Sequence, residues 1–528
     1  MRLKHGLLLS AAIFAAWAAG AANAETILNR GNAAEPSSLD VQLVSGIPEG
    51  NIQQDLYEGL MAYGPDGKAI PGVAASWTVS TDGLDYTFKL RDDAKWSDGS
   101  PVTSDDFAFA WRRIVTPKTA ADYAYFLDAV KNAEDIRNGK ADPATLGVET
   151  PDPKTFVVHL RAPAPYFVGM LVHQSTFPID KALFEKAGDG YSKPNLLISN
   201  GAYTLAEAIP QDHITLKKNP YFHDAANVKI DTVRYFPTED LDSELKRYLA
   251  GELDLTYDIA SQQIPTMLKD HPKETHIAPY FGTYFYAINL THEPWKSNVD
   301  LRHALSLAID RDVIVKDITK GQQIPTFTFV PPGTSNFPAW QPDEARMTQA
   351  EREAKARELI AKAGYGPDKP LSVEFIYNTN EAHKKVAIAV AAMWKQKLGI
   401  NTTLKNEEWG TFQADRNNKT FKDVARHGWI GDFDDAANFL DLERGNVGAN
   451  STSGYDNPAF DKLMAEATTE TDLAKRGVIQ QNAEKIMIAD QPIIPLYTYT
   501  NKHMISPAVH GWIDNLPGFN LTRWLTKD

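Results

Sequence analysis

The sequence predicts a mixed α/β protein with more than one domain, on three observations. Short segments of strict apolar/polar alternation recur along the chain, longer amphipathic segments with helix punctuation follow them, and 528 residues exceed what one hydrophobic core usually organises. The composition, 43% hydrophobic and 23% charged, is that of a folded chain.

The N-terminus comes first in order. Arg2 and Lys4 precede an apolar run from Gly6 to Ala22, and Ala22-Asn23-Ala24 stands before Glu25, the pattern of a secretory signal peptide cleaved after Ala24. The run of about 16 apolar residues is shorter than the roughly 20 that cross a bilayer, and no later stretch qualifies. The chain has no cysteine, hence none at the cleavage site, so the expectation is a periplasmic protein that is not lipid-anchored. The same absence excludes disulfides, thiol nucleophiles, iron–sulfur clusters and zinc ribbons. The net charge of −14 argues against nucleic acid as a partner, because phosphate neutralisation needs a basic surface.

After the turn Asp82-Gly83, Leu84, Tyr86, Phe88 and Leu90 alternate with polar residues as a half-buried strand, and Phe156, Val158 and Leu160 repeat the pattern. Between them Thr103 and Asp106 form a capping-box pattern, opening a helix through Phe107, Trp111 and Ile114. Ile214 with Leu216 and Val233 with Tyr235 mark further strands, punctuated by Asn200-Gly201 and Asn219-Pro220. From about Gly282 the texture changes. Asp300 is placed to cap a helix with Ala304, Leu305, Ala308 and Ile309 on one face. A longer helix from about Thr348 to Ala363 carries the pairs Glu351/Lys355, Glu353/Arg357 and Glu358/Lys362 and stops at Gly364. Pro331, Pro332, Pro338 and Pro342 mark a long loop between these helices. A strand through Leu371, Val373 and Phe375 precedes a helix from about Glu381 to Leu398, stopped by Gly399.

Enzyme signatures fail when tested. His292-Glu293 lacks a second histidine one turn on, and there is no nucleophile elbow, phosphate loop or dinucleotide fingerprint. The acidic cluster Asp432, Asp434, Asp435, Asp441 and Glu443 lacks the ligand spacing and turn glycine of a calcium loop. A carboxylate pair for glycoside hydrolysis stays open, because the two groups need only meet in space. What stands out is a run combining opposite charges with aromatics: Trp409, Arg416, Arg426, His427, Trp429, Gly431, Asp432 and Phe433. A zwitterion bound in a closed cleft needs a carboxylate at one end and guanidinium donors at the other, with aromatic walls between. The alternative is a surface salt bridge beside core tryptophans.

Five segments, in order and spacing, resemble the large solute-binding proteins of oligopeptide and dipeptide ABC importers (family 5). They are Leu90-Arg91 through Lys95-Trp96-Ser97-Asp98-Gly99-Ser100-Pro101-Val102-Thr103, Asn200-Gly201-Ala202-Tyr203-Thr204-Leu205, Ala250-Gly251-Glu252-Leu253-Asp254, Ala308-Ile309-Asp310-Arg311 and Ile494-Pro495-Leu496-Tyr497. Asp55-Leu56-Tyr57-Glu58-Gly59-Leu60, Tyr377-Asn378-Thr379, Glu408-Trp409 and Val424-Ala425-Arg426-His427-Gly428-Trp429 resemble its oligopeptide-binding members in particular.

The resemblance implies a two-lobed periplasmic-binding-protein fold whose lobes, joined by two hinge crossings, close on an extended peptide. It implies a discontinuous first lobe (25–57, 181–281 and 501–528), an extra subdomain (58–180) and a second lobe (282–500). Asp432 would receive the peptide's α-ammonium. Arg416, Arg426 and His383 match positions near its carboxylate end. Tyr123, Trp409 and Tyr499 match aromatic positions around the ligand, and the implied lining also takes in Ile47, Trp429 and Gly431. On position alone, Trp409 and Tyr499 read equally as core aromatics, His383 as an exposed first-turn residue, and Arg416 as part of an exposed turn, Asp415-Arg416-Asn417-Asn418.

Two departures stand out. The family's oligopeptide binders carry a disulfide between the positions matched by Gly282 and Ile430, and an acidic residue where Ser45 stands. The expected protein captures short peptides for the permease of an ABC importer as a monomer, needs no cofactor and catalyses nothing. Its rivals are a same-fold binder of another small solute, such as a cell-wall peptide or amino-acid conjugate, and a secreted carboxylate-pair hydrolase.

Overall fold

The computed structural model describes residues 25–44, 46–121, 123–407, 409–445 and 451–528, and of Glu381, Trp409, Gly410 and Gln413 it describes the backbone alone. The signal-peptide segment and Ser45 lie outside the described residues.

Strand β1 (Ile27–Gly31) begins the first half. Strands β2 (Ala74–Val79) and β3 (Asp85–Leu90) form a hairpin whose turn places Gly83 at φ +72°, a left-handed conformation that glycine adopts without strain. Helix α1 (Ser104–Val115) starts at the expected box: the Thr103 N–H donates to Asp106 Oδ2 at 2.8 Å and its hydroxyl at 2.9 Å. Its buried face, with Phe107, Trp111 and Ile114, packs on a sheet that β4 (Val148–Asp152) and β5 (Thr155–His159) complete in the order β2-β3-β5-β4. Strands β6 (Tyr203–Ile209), β7 (His213–Lys218) and β8 (Thr232–Phe236) make a second sheet, in which β8 takes β1 as a parallel partner.

The second half is built on a six-stranded sheet. Its elements are β9 (Thr275–Ile288), α2 (Val299–Leu307), α3 (Gln349–Lys362), β10 (Ser372–Asn378), α4 (Glu381–Leu398), β11 (Asn401–Glu407), α5 (Trp409–Asn418), β12 (Val424–Ile430) and β13 (Ile493–Met504). With the short strand Ile324–Pro325 at one edge, the order runs on through β13, β9, β12, β10 and β11. Strand β10 is parallel to both β11 and β12, and α4 supplies the crossover that a parallel β10–β11 pair requires.

Several local expectations change. The cap of α2 is Asn298, which accepts from the Leu301 N–H at 3.0 Å; Asp300 sits inside the helix and pairs with Lys362 at 2.8 Å. On α3, Lys355 turns away from Glu351 to Glu344 at 2.9 Å, because Glu351 is engaged in a capping box with Thr348, while Glu353 and Arg357 do approach to 4.0 Å. The connection from α2 to α3 is not wholly loop: Ile324–Pro325 pairs with Thr498 and Tyr497.

Two main hydrophobic cores result. One gathers Leu28, Phe88, Trp111, Leu216 and Val233; the other gathers Tyr284, Phe375, Trp394 and Leu496. Strands β9 and β13 pair antiparallel from Thr275↔Met504 to Ala287↔Ile493. One end of this ribbon lies in the second core, while Met504 at the other packs with Leu245 and Met267. The last residues return to the first core, where Leu521 and Leu525 are buried and Arg523 meets Glu58 at 2.6 Å. The molecule is therefore two-lobed, with two chain crossings between the lobes.

Candidate ligand-binding cleft

Strand β12 lies beside β9 in the middle of the larger sheet, and its alternation divides the candidate residues between two cavities. Arg426, Gly428 and Ile430 line one of about 620 Å³, together with His383 at the start of α4 and Tyr499 of β13. The facing wall comes from the first lobe, through Arg30, Ile47 and Tyr257. His427 and Trp429 point the other way into a cavity of about 940 Å³, which Arg416 and Asp432 also line. Its opposite wall includes Phe126 of the first core and Tyr166 packed against that core.

The first cavity is cationic. Arg426 is 9% exposed, donates from Nη2 to the Tyr499 hydroxyl at 3.2 Å, and lies 4.9 Å from the Tyr284 ring centre. Its Nε has no partner among the described residues. Gly428 is required beside it, since a Cβ there would sit 2.5 Å from the Tyr499 hydroxyl and 3.0 Å from Arg426 Nη2. The His383 N–H bonds to the cap residue Asn380 at 3.1 Å, and burial followed by the Arg426 charge lowers the His383 ring to about 3, leaving it neutral. Sequence reasoning missed Arg30, and missed Lys502, which pairs with Asp258 at 3.2 Å across this cavity; single charged residues on separate strands leave no local pattern.

Asp432 stands just beyond the carboxyl end of β12, where open α/β sheets commonly place ligands. Gly431 makes the exit possible: its N–H donates to the Phe281 carbonyl at 2.7 Å, and a Cβ would lie 2.2 Å from the Phe281 ring. The Tyr123 hydroxyl donates to Asp432 Oδ1 at 3.1 Å, and the Tyr123 ring packs 4.5 Å from His173. Burial pushes the Asp432 carboxyl up to about 6, offset in part by Tyr123. Trp429 is fixed by a 2.7 Å bond from Nε1 to Asn438 Oδ1. Phe433 stacks on Tyr166 at 5.2 Å and 13°, joining the two lobes beside the site.

Arg416 belongs to the last turn of α5, not to an exposed turn, and shares a cavity with Asp432 rather than with Arg426 and His383. Trp409 opens α5; its side chain lies outside the described residues. The rest of the acidic cluster is engaged locally: Asp434 with Ser335, Asp435 with Arg476, Asp441 with Arg444, and Glu443 with Thr452 and Ser453. Gly282 and Ile430 face each other in the β9–β12 register.

Comparison with known proteins agrees with this architecture. Residues 68–451 match the profile described as "Bacterial extracellular solute-binding proteins, family 5 Middle". The periplasmic oligopeptide-binding protein OppA of Salmonella typhimurium is 38% identical, over 98% of this chain and 97% of that protein. The periplasmic murein peptide-binding protein MppA of Escherichia coli is 39% identical, over 93% of this chain and 92% of that protein. Among solved structures, the unliganded open form of MppA overlays with a TM-score of 0.85 at 38% identity, covering 96% of this chain and 98% of that one. Haemophilus influenzae OppA in complex with RPPGFSPFR overlays at 0.78 and 38%, covering 96% and 99%. The chain belongs to the family 5 bacterial extracellular solute-binding proteins.

Proposed function

We propose that this protein is a periplasmic solute-binding protein that captures short oligopeptides between its lobes and delivers them to an ABC importer. The observation that carries the reading is the charge layout of the cleft: among the described residues, a carboxylate with no cation beside it, Asp432, at one end, and a buried guanidinium with no carboxylate partner, Arg426, at the other. Such a layout is complementary to the two termini of a zwitterionic peptide. The peptide's backbone between its termini pairs with cleft backbone as an added strand, leaving side chains in roomy pockets. The family is one of solute binders, so capture and release, not catalysis, is the activity. Family membership and the relatives named above support the periplasmic location; cleavage after Ala24 without a lipid anchor, and action as a monomer, complete the proposal.

The proposed first lobe comprises 25–57, 181–281 and 501–528, with 58–180 as its extra subdomain and 282–500 as the second lobe. In support, the β9–β13 ladder is irregular between Pro279 and Thr283, where one boundary would fall. The test is to incubate purified protein with a library of free peptides, wash, denature, and identify what was retained by mass spectrometry. Intact peptides of a few residues are expected. Retention of a non-peptide solute alone, or recovery of cleaved products, would overturn the reading.

A further inference from the structure

A cavity of about 540 Å³ lies apart from the cleft: all its lining residues fall between Arg311 and Arg352, and none lines either cleft cavity. Its walls are apolar and partly open, with Pro325, Phe327, Phe337 and Trp340 each half-buried. Two buried arginines stand against the Phe327 ring, Arg311 at 3.8 Å and Arg352 at 5.2 Å from its centre. Neither has a carboxylate partner among the described residues. Every nitrogen of Arg311 is engaged, but by neutral acceptors: Nε by the Thr326 and Pro495 carbonyls, Nη1 by the Ser306 carbonyl and Nη2 by the Ser306 hydroxyl. Burial, and then the Arg352 charge, lower Arg311 to about 9, offset in part by Asp310.

Arg352, on α3 and 6% exposed, is different. Its Nε donates to Gln349 Oε1 at 3.0 Å and its Nη1 to the Met347 carbonyl at 2.6 Å, while Nη2 makes no hydrogen bond among the described residues. The carboxylates nearby are committed elsewhere. Asp310 accepts from the Val313 N–H at 3.1 Å, Asp312 meets Lys316 at 2.7 Å, and Glu344 meets Lys355 at 2.9 Å. Asp343 lies 3.6 Å from Arg346, a third arginine on the cavity wall. Glu484 accepts from the Phe329 and Val330 N–H groups at 2.7 Å each and holds Trp340 by its indole N–H. Lys485, 5.8 Å from the Trp340 ring centre, adds a cation. The cavity thus pairs charged donors lacking an acceptor with an aromatic wall already fixed in place. We propose that it is a second ligand site, for an organic monoanion that joins one carboxylate to a flat apolar body. The Arg352 Nη2 group receives the carboxylate, Arg311 supplies a second positive charge, and the body lies against Trp340 and Phe337.

The test is fluorine NMR of protein labelled with fluorotryptophan, the Trp340 signal being the one lost in Trp340→Phe. Cinnamate, a flat aromatic carboxylate, and its neutral amide cinnamamide are the probes. Affinities read from the Trp340 signal report this cavity and not the cleft. Cinnamate is expected to bind at least about tenfold tighter than cinnamamide. In Arg352→Gln that ratio should fall to within about twofold, whatever the variant's absolute affinity, while Arg352→Lys keeps part of it. A Trp340 signal unmoved by about 10 mM cinnamate, beyond the millimolar range of small ligands, overturns the proposal. So does an equal response to acid and amide, or a preference that survives Arg352→Gln, which would give the anion to another cation. The wild-type comparison decides alone, so poor folding of a variant does not protect the proposal.

Discussion

Asp432 has a neutral phenol for its partner, and its neighbours predict how binding responds to pH. Tyr63, Tyr123 and Tyr280 surround it, all held neutral by phenol pKa values raised above the ordinary, and His173 behind Tyr123 is lowered to about 3 by burial. None of these groups titrates between pH 5 and 7.5. Asp432 does, because burial sets its carboxyl at about 6. A ligand ammonium needs the ionised form, so below that value binding must first release a proton. Affinity for a free-amine peptide should therefore fall about tenfold from pH 7 to pH 5, a range over which the peptide's own termini stay mostly charged. Asp432→Asn should weaken binding by roughly 30-fold or more at pH 7.5 and flatten this profile. Titration calorimetry at several pH values checks both, and an unchanged slope in Asp432→Asn would mean that another group carries the dependence.

At the scale of elements, Gly282 on β9 and Ile430 on β12 show how packing substitutes for a crosslink. The two residues are register partners, and a Cβ on Gly282 would meet Ile430 Cδ1 at 2.3 Å and the Trp429 carbonyl at 2.9 Å. The isoleucine occupies the room that the glycine leaves. Gly282→Ala should thus destabilise by about 1 to 3 kcal/mol in urea unfolding, the range for overpacking. Adding Ile430→Ala should recover part of that loss and not all, since the Trp429 backbone stays in place. Full additivity of the two losses would contradict the packing account. Elements of this kind were legible in the sequence only where the signal is local. The Thr103 capping box and the Gly399 stop emerge where short-range patterns put them, with Gly399 at φ +73°. The partners of Lys355 and Lys362 were not legible, because tertiary neighbours outcompeted the helix spacing. Likewise Arg416 and Arg426 read as one cationic end along the chain, yet α5 and the pleat of β12 deliver them to different cavities.

Over the whole molecule, two separately cored lobes meet across the cleft through few side chains, chiefly Tyr123 with Asp432, and Tyr166 between Phe433 and Arg476. A ligand that bridges the lobes adds contacts that neither core supplies, and it binds only the folded state. At a hundredfold excess over the dissociation constant it raises stability by about 2.7 kcal/mol. The unfolding entropy of a chain this long is large, so the thermal midpoint should rise by only a few degrees, read by scanning calorimetry or fluorescence. The origin of the shift is separable. An N-acetylated version of the same peptide lacks the ammonium, so at equal concentration it should shift the wild type much less. Asp432→Asn lacks the carboxylate, so the free-amine peptide should act on it as the acetylated one acts on the wild type. If acetylation leaves the wild-type shift intact, the bridge between lobes does not run through the ligand's amino terminus, and Asp432 answers to its neighbour Tyr123 alone.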